Sequence, residues 1–169
     1  MNLKPQDVVV LLKLLIADEE MTYATLADKL YMSPSEVHAA VKRAGAAGLI
    51  DISSKEVRKQ PLLEFLIHGL KYVFPPSRGT ITRGLPTAHA AHPLSEMLAG
   101  DDDFPPVWPC ADGTVRGYEF KPLYRSVPSA AREDSALYEI LALLDAVRGG
   151  RARERKLAED ELSKRVAGK

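Results

Sequence analysis

The most constraining stretch of the chain is Ser33-Pro34-Ser35-Glu36. Ser33 offers a side-chain oxygen to the free N–H groups of a helix start. Pro34 suits the first helical position, and Glu36, three residues after Ser33, completes a capping box. A helix is therefore predicted from Pro34 to about Ala47, with Val37, Ala40, Val41 and Ala44 facing inward and Gly48 ending it. Two helical signals precede it. After Pro5, the residues Val8, Leu11, Leu12, Leu15 and Ile16 recur at the period of an amphipathic helix. Thr22 can cap a second helix from Tyr23 to about Leu30, whose buried stripe is Leu26, Ala27 and Leu30. Leu49-Ile50-Asp51-Ile52 then reads as a short strand.

Three short helices, a tight connection before the third and a strand after it describe a helix-turn-helix with the beginning of a wing. A third helix of this kind enters the major groove by its N-terminal half and needs small or polar residues there. The outward positions are predicted to be Ser35, His38, Ala39, Lys42 and Arg43. Ser35 and His38 are placed for base edges or phosphate, and Lys42 and Arg43 for backbone phosphates a turn later. Thr22 and Ser33 sit at helix N-termini, which attract phosphate. Lys55, Arg58 and Lys59 extend the set beyond the third helix, and Arg78 and Arg83 supply a polar, glycine-containing segment further on. Lys plus Arg and Asp plus Glu are 23 each, which excludes a generally polybasic nucleic-acid binder. Residues 21–60 nevertheless carry 6 basic against 4 acidic groups, a local excess around the predicted reading helix.

The segment TYATLADKLYMSPSEVHAAVKRAGAAGLID resembles the winged helix-turn-helix of bacterial transcription regulators of the MarR/Rrf2 kind. Leu26-Ala27 and Leu30 match the second helix of that pattern. Ser33, Ser35, Val37 and Val41 match the recognition helix, and Gly48-Leu49-Ile50 the entry to the wing. The likeness covers roughly residues 8–52. Gly45 or Ala46 replaces the usual hydrophobic residue before the final turn, and no hairpin wing is evident directly after Ile50. The wing is either reduced or moved to Gly79–Pro86. The resemblance implies a sequence-specific DNA-binding regulator, a repressor, reading double-stranded DNA as a homodimer. Residues 53–169 carry a looser likeness to antitoxin-like proteins, without a diagnostic motif. The alternative they leave is a noncatalytic protein whose work is to hold a regulatory protein partner.

The remaining chain divides by composition. Residues 1–74 are dense in helical signals and form the expected winged helix-turn-helix domain. Residues 75–132 hold nine of the twelve prolines and are expected to be irregular or short strands. Residues 133–169 return to helix and are the candidate dimerisation region. Leu62 to Phe74 is predicted helical, and Gly79 to Leu94 loop or short strands. Ala136 to Val147 is a helix whose apolar stripe must be covered by the first helix or by a second copy. Arg151 to about Val166 is a charged helix with few anchors. Tyr118, Phe120, Leu123 and Tyr124 are either a partner-binding surface or local core, with core favoured. The expected fold class is mainly α with small β elements, a winged helix-turn-helix plus an α-rich C-terminal extension.

Other classes are disfavoured. Cys110 is the single cysteine, so no internal disulfide forms. His89, His92 and Cys110 are metal-ligand types, but their spacing matches no strong zinc signature, and no metal or cofactor is expected. No nucleophile elbow, P-loop or dinucleotide fingerprint occurs, and no enzymatic activity is expected. The apolar stretch Val8–Ala17 is too short to span a membrane. A cytoplasmic protein is expected.

Overall fold

A computed structural model describes residues 2–168. The fold is mainly helical with one small three-stranded sheet. α1 (Pro5–Ile16), α2 (Tyr23–Leu30) and α3 (Pro34–Ala46) start where their capping residues predict. The Lys4 N–H donates to the Asp7 carboxylate at 2.8 Å, closing the first turn of α1 after Pro5. The Thr22 hydroxyl accepts the Thr25 N–H at 3.1 Å. Ser33 and Glu36 exchange both bonds of the capping box, at 3.1 and 2.8 Å. α2 ends on Tyr31 with φ +55° and α3 is followed by Gly48 with φ +77°, both left-handed stops.

The amphipathic reading of α1 is corrected. Val8 to Lys13 are buried without interruption, because α1 lies between α3 on one side and α8 on the other. The wing is reduced rather than moved. Ile50 and Val57 form one antiparallel bridge, the Asp51 N–H donates to the Glu56 carbonyl, and the Arg58 N–H to Leu49. A helix then begins at Lys59, three residues before the predicted Leu62. It comprises α4 (Lys59–Glu64), a π-turn (Phe65–Gly69) and α5 (Leu70–Val73), and buries Leu62, Leu66 and Leu70.

The segment expected to be irregular or short strands contains the sheet. β1 (Arg78–Pro86) pairs antiparallel with both β2 (Pro106–Pro109) and β3 (Val115–Phe120), and β2 runs parallel to β3, so the three strands close on one another. Glycine permits the closure. A Cβ on Gly84 would lie 1.9 Å from the Trp108 carbonyl oxygen, and one on Gly117 would lie 1.8 Å from that of Pro105. α6 (Leu94–Met97) is one short turn.

α7 (Val127–Glu133), α8 (Ser135–Gly149) and α9 (Ala152–Ala167) complete the chain. α8 carries a continuous buried run from Ile140 to Arg148 and packs against α1, α5, α7 and α9. Its apolar stripe is therefore covered within one chain, by the first helix among others. One buried cluster runs from Val8 through Trp108 to Val166, across all three compositional zones.

Two polar knots sit inside this core. The Asp145 carboxylate accepts from Thr87 Oγ1 at 2.7 Å, Trp108 Nε1 at 2.6 Å and Arg148 Nη1 at 2.8 Å. Arg148 Nε also donates to the Phe74 carbonyl at 2.9 Å. Burial pushes the Asp145 carboxyl up, against the pull of Arg148 and the other donors. The second knot joins α1 to α3 and bears on function.

Candidate nucleic-acid interface

Helical geometry divides α3 into a buried side, an exposed strip and two shoulders. Val37, Ala40, Val41 and Ala44 are buried. Ser35, His38 and Lys42 are exposed, and Ala39 is half-buried between them. These four form the strip that a groove can receive. Ser33 and Thr22 are exposed at their helix starts, each with its hydroxyl already holding a backbone N–H.

Arg43 departs from its predicted outward position. Its guanidinium makes a two-pronged bond to Asp7, Nε to Oδ2 at 2.8 Å and Nη2 to Oδ1 at 2.7 Å. Asp7 is 0 % exposed, so a lone carboxylate there would be strongly disfavoured, and the arginine turns inward to meet it. The hydrogen bonds to Asp7 raise the Arg43 pKa further. Arg43 thus fastens α3 to α1. No local signal joins the two residues, which stand 36 positions apart.

The wing lies against the His38 shoulder. His38 meets the Tyr23 ring edge-on at 5.4 Å between centroids. Lys55 sits above the same ring at 4.8 Å and donates to the Met21 carbonyl at 3.1 Å. Lys55 has φ +58°, at the end of a turn organised by Asp51. The Asp51 carboxylate accepts from the Ser53 hydroxyl and from the Ser53 and Ser54 N–H groups, with the hydroxyl the largest influence, and its pKa falls to about 2. Arg58 and Lys59 are exposed at the base of the wing.

The other shoulder carries Glu36, which the Ser33 N–H holds below the usual carboxylate range. The corner between β3 and α7 reaches this residue. The Tyr124 hydroxyl donates to Glu36 Oε1, and Arg125 Nη2 approaches the same oxygen at 3.3 Å. Sequence reasoning missed this contact, whose partners are 88 and 89 residues apart. Arg78 and Arg83 lie on β1, outside the α3 strip. Arg78 donates to the Gly149 carbonyl and lies over the Phe120 ring, while Arg83 is exposed and pairs across the strands with Arg116.

Phe120 and Leu123 are core and Tyr124 is half-buried, while Tyr118 is exposed. His89 contacts Asp102 and Glu154, and His92 contacts Glu96 and Glu139. Among the described residues no three His, Cys, Asp or Glu side chains gather as a metal site.

Residues 10–51 match the winged helix-turn-helix DNA-binding family. The match runs from α1 to Asp51, inside the wing and just after Ile50, so it stops short of Lys55, Arg58 and Lys59. No curated protein and no solved structure matches the chain. The N-terminal part carries a winged helix-turn-helix, a domain type that suggests a capability to bind DNA. Among the described residues no helix is long and apolar enough to cross a membrane.

Proposed function

We propose that the protein is a sequence-specific DNA-binding transcription regulator, a noncatalytic repressor working in the cytoplasm on operator DNA. The observation that carries this reading is the exposed strip Ser35–His38–Lys42 on a capped third helix, within the segment that matches the DNA-binding family. Ser35 and His38 contact base edges, and Lys42 with Lys55, Arg58 and Lys59 contacts phosphate. A homodimer reading two half-sites belongs to this proposal. Its interface uses a surface other than the apolar stripe of α8, which the chain itself covers.

A mobility-shift titration with the DNA upstream of the protein's own gene tests the proposal. Retarded complexes that weaken with salt are expected. Lys42→Ala should weaken them while Lys164→Ala, on the far end of α9, leaves them unchanged. Failure to bind any duplex at low salt sinks the reading.

A second reading has its own observation. Ile81 and Tyr118 face each other across β1 and β3, Phe104 meets Tyr118 edge-on at 5.8 Å, and all three are exposed. Contiguous exposed apolar side chains mark partner surfaces. The protein then holds another protein on this small sheet, as an antitoxin-like factor does. Co-purification with a neighbour-encoded protein, lost on Tyr118→Ser, tests it.

A further inference from the structure

The two shoulders of α3 are built differently. On the His38 side the wing brings Lys55 onto the Tyr23 ring, with Arg58 and Lys59 exposed behind it. On the opposite side stand Glu36 and Arg43, two helical turns apart. Arg43 is withdrawn into the core by Asp7. A helix seated in a major groove has a phosphate strand along each side, so this shoulder needs a cation that α3 no longer supplies.

The β3–α7 corner places one there. Arg125 is 78 % exposed at its side chain. Its guanidinium carbon lies 5.2 Å from the Tyr124 ring centroid, and Tyr124 is itself bonded to Glu36. A guanidinium has five N–H donors in a rigid fork, and among the described residues only the 3.3 Å contact to Glu36 uses one. The aromatic ring and the carboxylate both engage the guanidinium, and among the described residues the rest of its fork has no partner, at the edge of the Ser35–Lys42 strip.

We infer that Arg125 contacts a backbone phosphate of a DNA duplex seated on α3, so that the C-terminal half of the chain supplies a second flank opposite the wing. The inference rests on the DNA-reading function proposed above. The ligand is the phosphodiester backbone, so the contact is independent of sequence.

Fluorescence anisotropy with a mixed-sequence DNA duplex, titrated between about 50 and 200 mM salt, tests it. Arg125→Ala should bind more weakly, and the slope of log affinity against log salt should fall in magnitude by about 0.9. Arg153→Ala, at the exposed start of α9, should leave the slope unchanged. Glu36→Gln retains the capping box and separates a direct contact from mere neutralisation of Glu36. Arg125→Ala should reduce the slope equally in that background. An unchanged slope, or a loss that vanishes with Glu36→Gln, overturns the inference while a weakening by Lys42→Ala leaves DNA reading intact. A wild-type protein that binds no duplex overturns both.

Discussion

Asp7 and Arg43 show why one basic residue of α3 cannot be read like its neighbour. Removing either partner leaves a buried charge without its counter-ion, at a cost of roughly 3–5 kcal/mol. Arg43→Ala should therefore lower the urea midpoint sharply, whereas Lys42→Ala should stay within about 0.5 kcal/mol of wild type. Equal midpoints for the two variants would refute the structural role. Both substitutions should weaken DNA binding, one through the fold and one through contact. Asp51 gives a pH prediction at the same scale. Its folded pKa, about 2, lies below the ordinary aspartate value of about 3.9, so the wing turn gains stability from the ionised carboxylate above that range. The gain should disappear as pH falls from about 4 through 2. The protection factors of the Ser53 and Ser54 amides against hydrogen exchange, followed by NMR, should fall over that window. The outward positions of Ser35, His38 and Lys42 were legible because helical period alone decides them. The fate of Arg43 was not, because a buried carboxylate on another helix overrides the period.

Among the elements, α1 to α3 were legible almost to the residue, since Pro5, Thr22, Ser33 and Gly48 act on their own turns. Ser33→Ala should cost about 1 kcal/mol, measured by chemical denaturation. The sheet was legible only as short strands, and its pairing was not legible, for the opposite reason. Arg78-Gly79-Thr80-Ile81-Thr82-Arg83-Gly84 has no strong alternation, and its pairing depends on partners some 25 to 42 residues away. The glycines that looked like loop residues are there for close approach between strands. Gly117→Ala forces a Cβ onto the Pro105 carbonyl and should cost more than Ser33→Ala, with loss of the β1–β3 pairing. A soluble Gly117→Ala protein with an unchanged midpoint would show that the strands separate easily.

At the scale of the molecule, compositional zones do not correspond to separate cores. Leu137, Ile140, Leu141 and Leu144 of α8 share the buried cluster with Val8, Leu11 and Leu12 of α1. Lys13 pairs with Asp134, and Tyr31 donates to Glu133, so the winged segment is fastened to α7 and α8 by polar as well as apolar contacts. A fragment ending at Phe74 would expose the α8-facing side of α1. It should lack cooperative unfolding, and the intact chain should unfold in one transition. A cooperative transition from the fragment alone, followed by circular dichroism, would contradict that dependence. Sequence periodicity showed that α8 had an apolar stripe, but the choice between α1 and a second copy as its cover required the tertiary arrangement.

Trp108 is the single tryptophan of the chain. Its indole N–H is bound by Asp145 of α8 while its ring packs beside Tyr138 at 5.3 Å. Emission excited where tryptophan alone absorbs therefore has one origin, at the seam between the small sheet and the central helix. No label is needed to watch that seam. Water reaching the indole shifts its spectrum to the red, and DNA seated on α3 changes it if the seam moves in response.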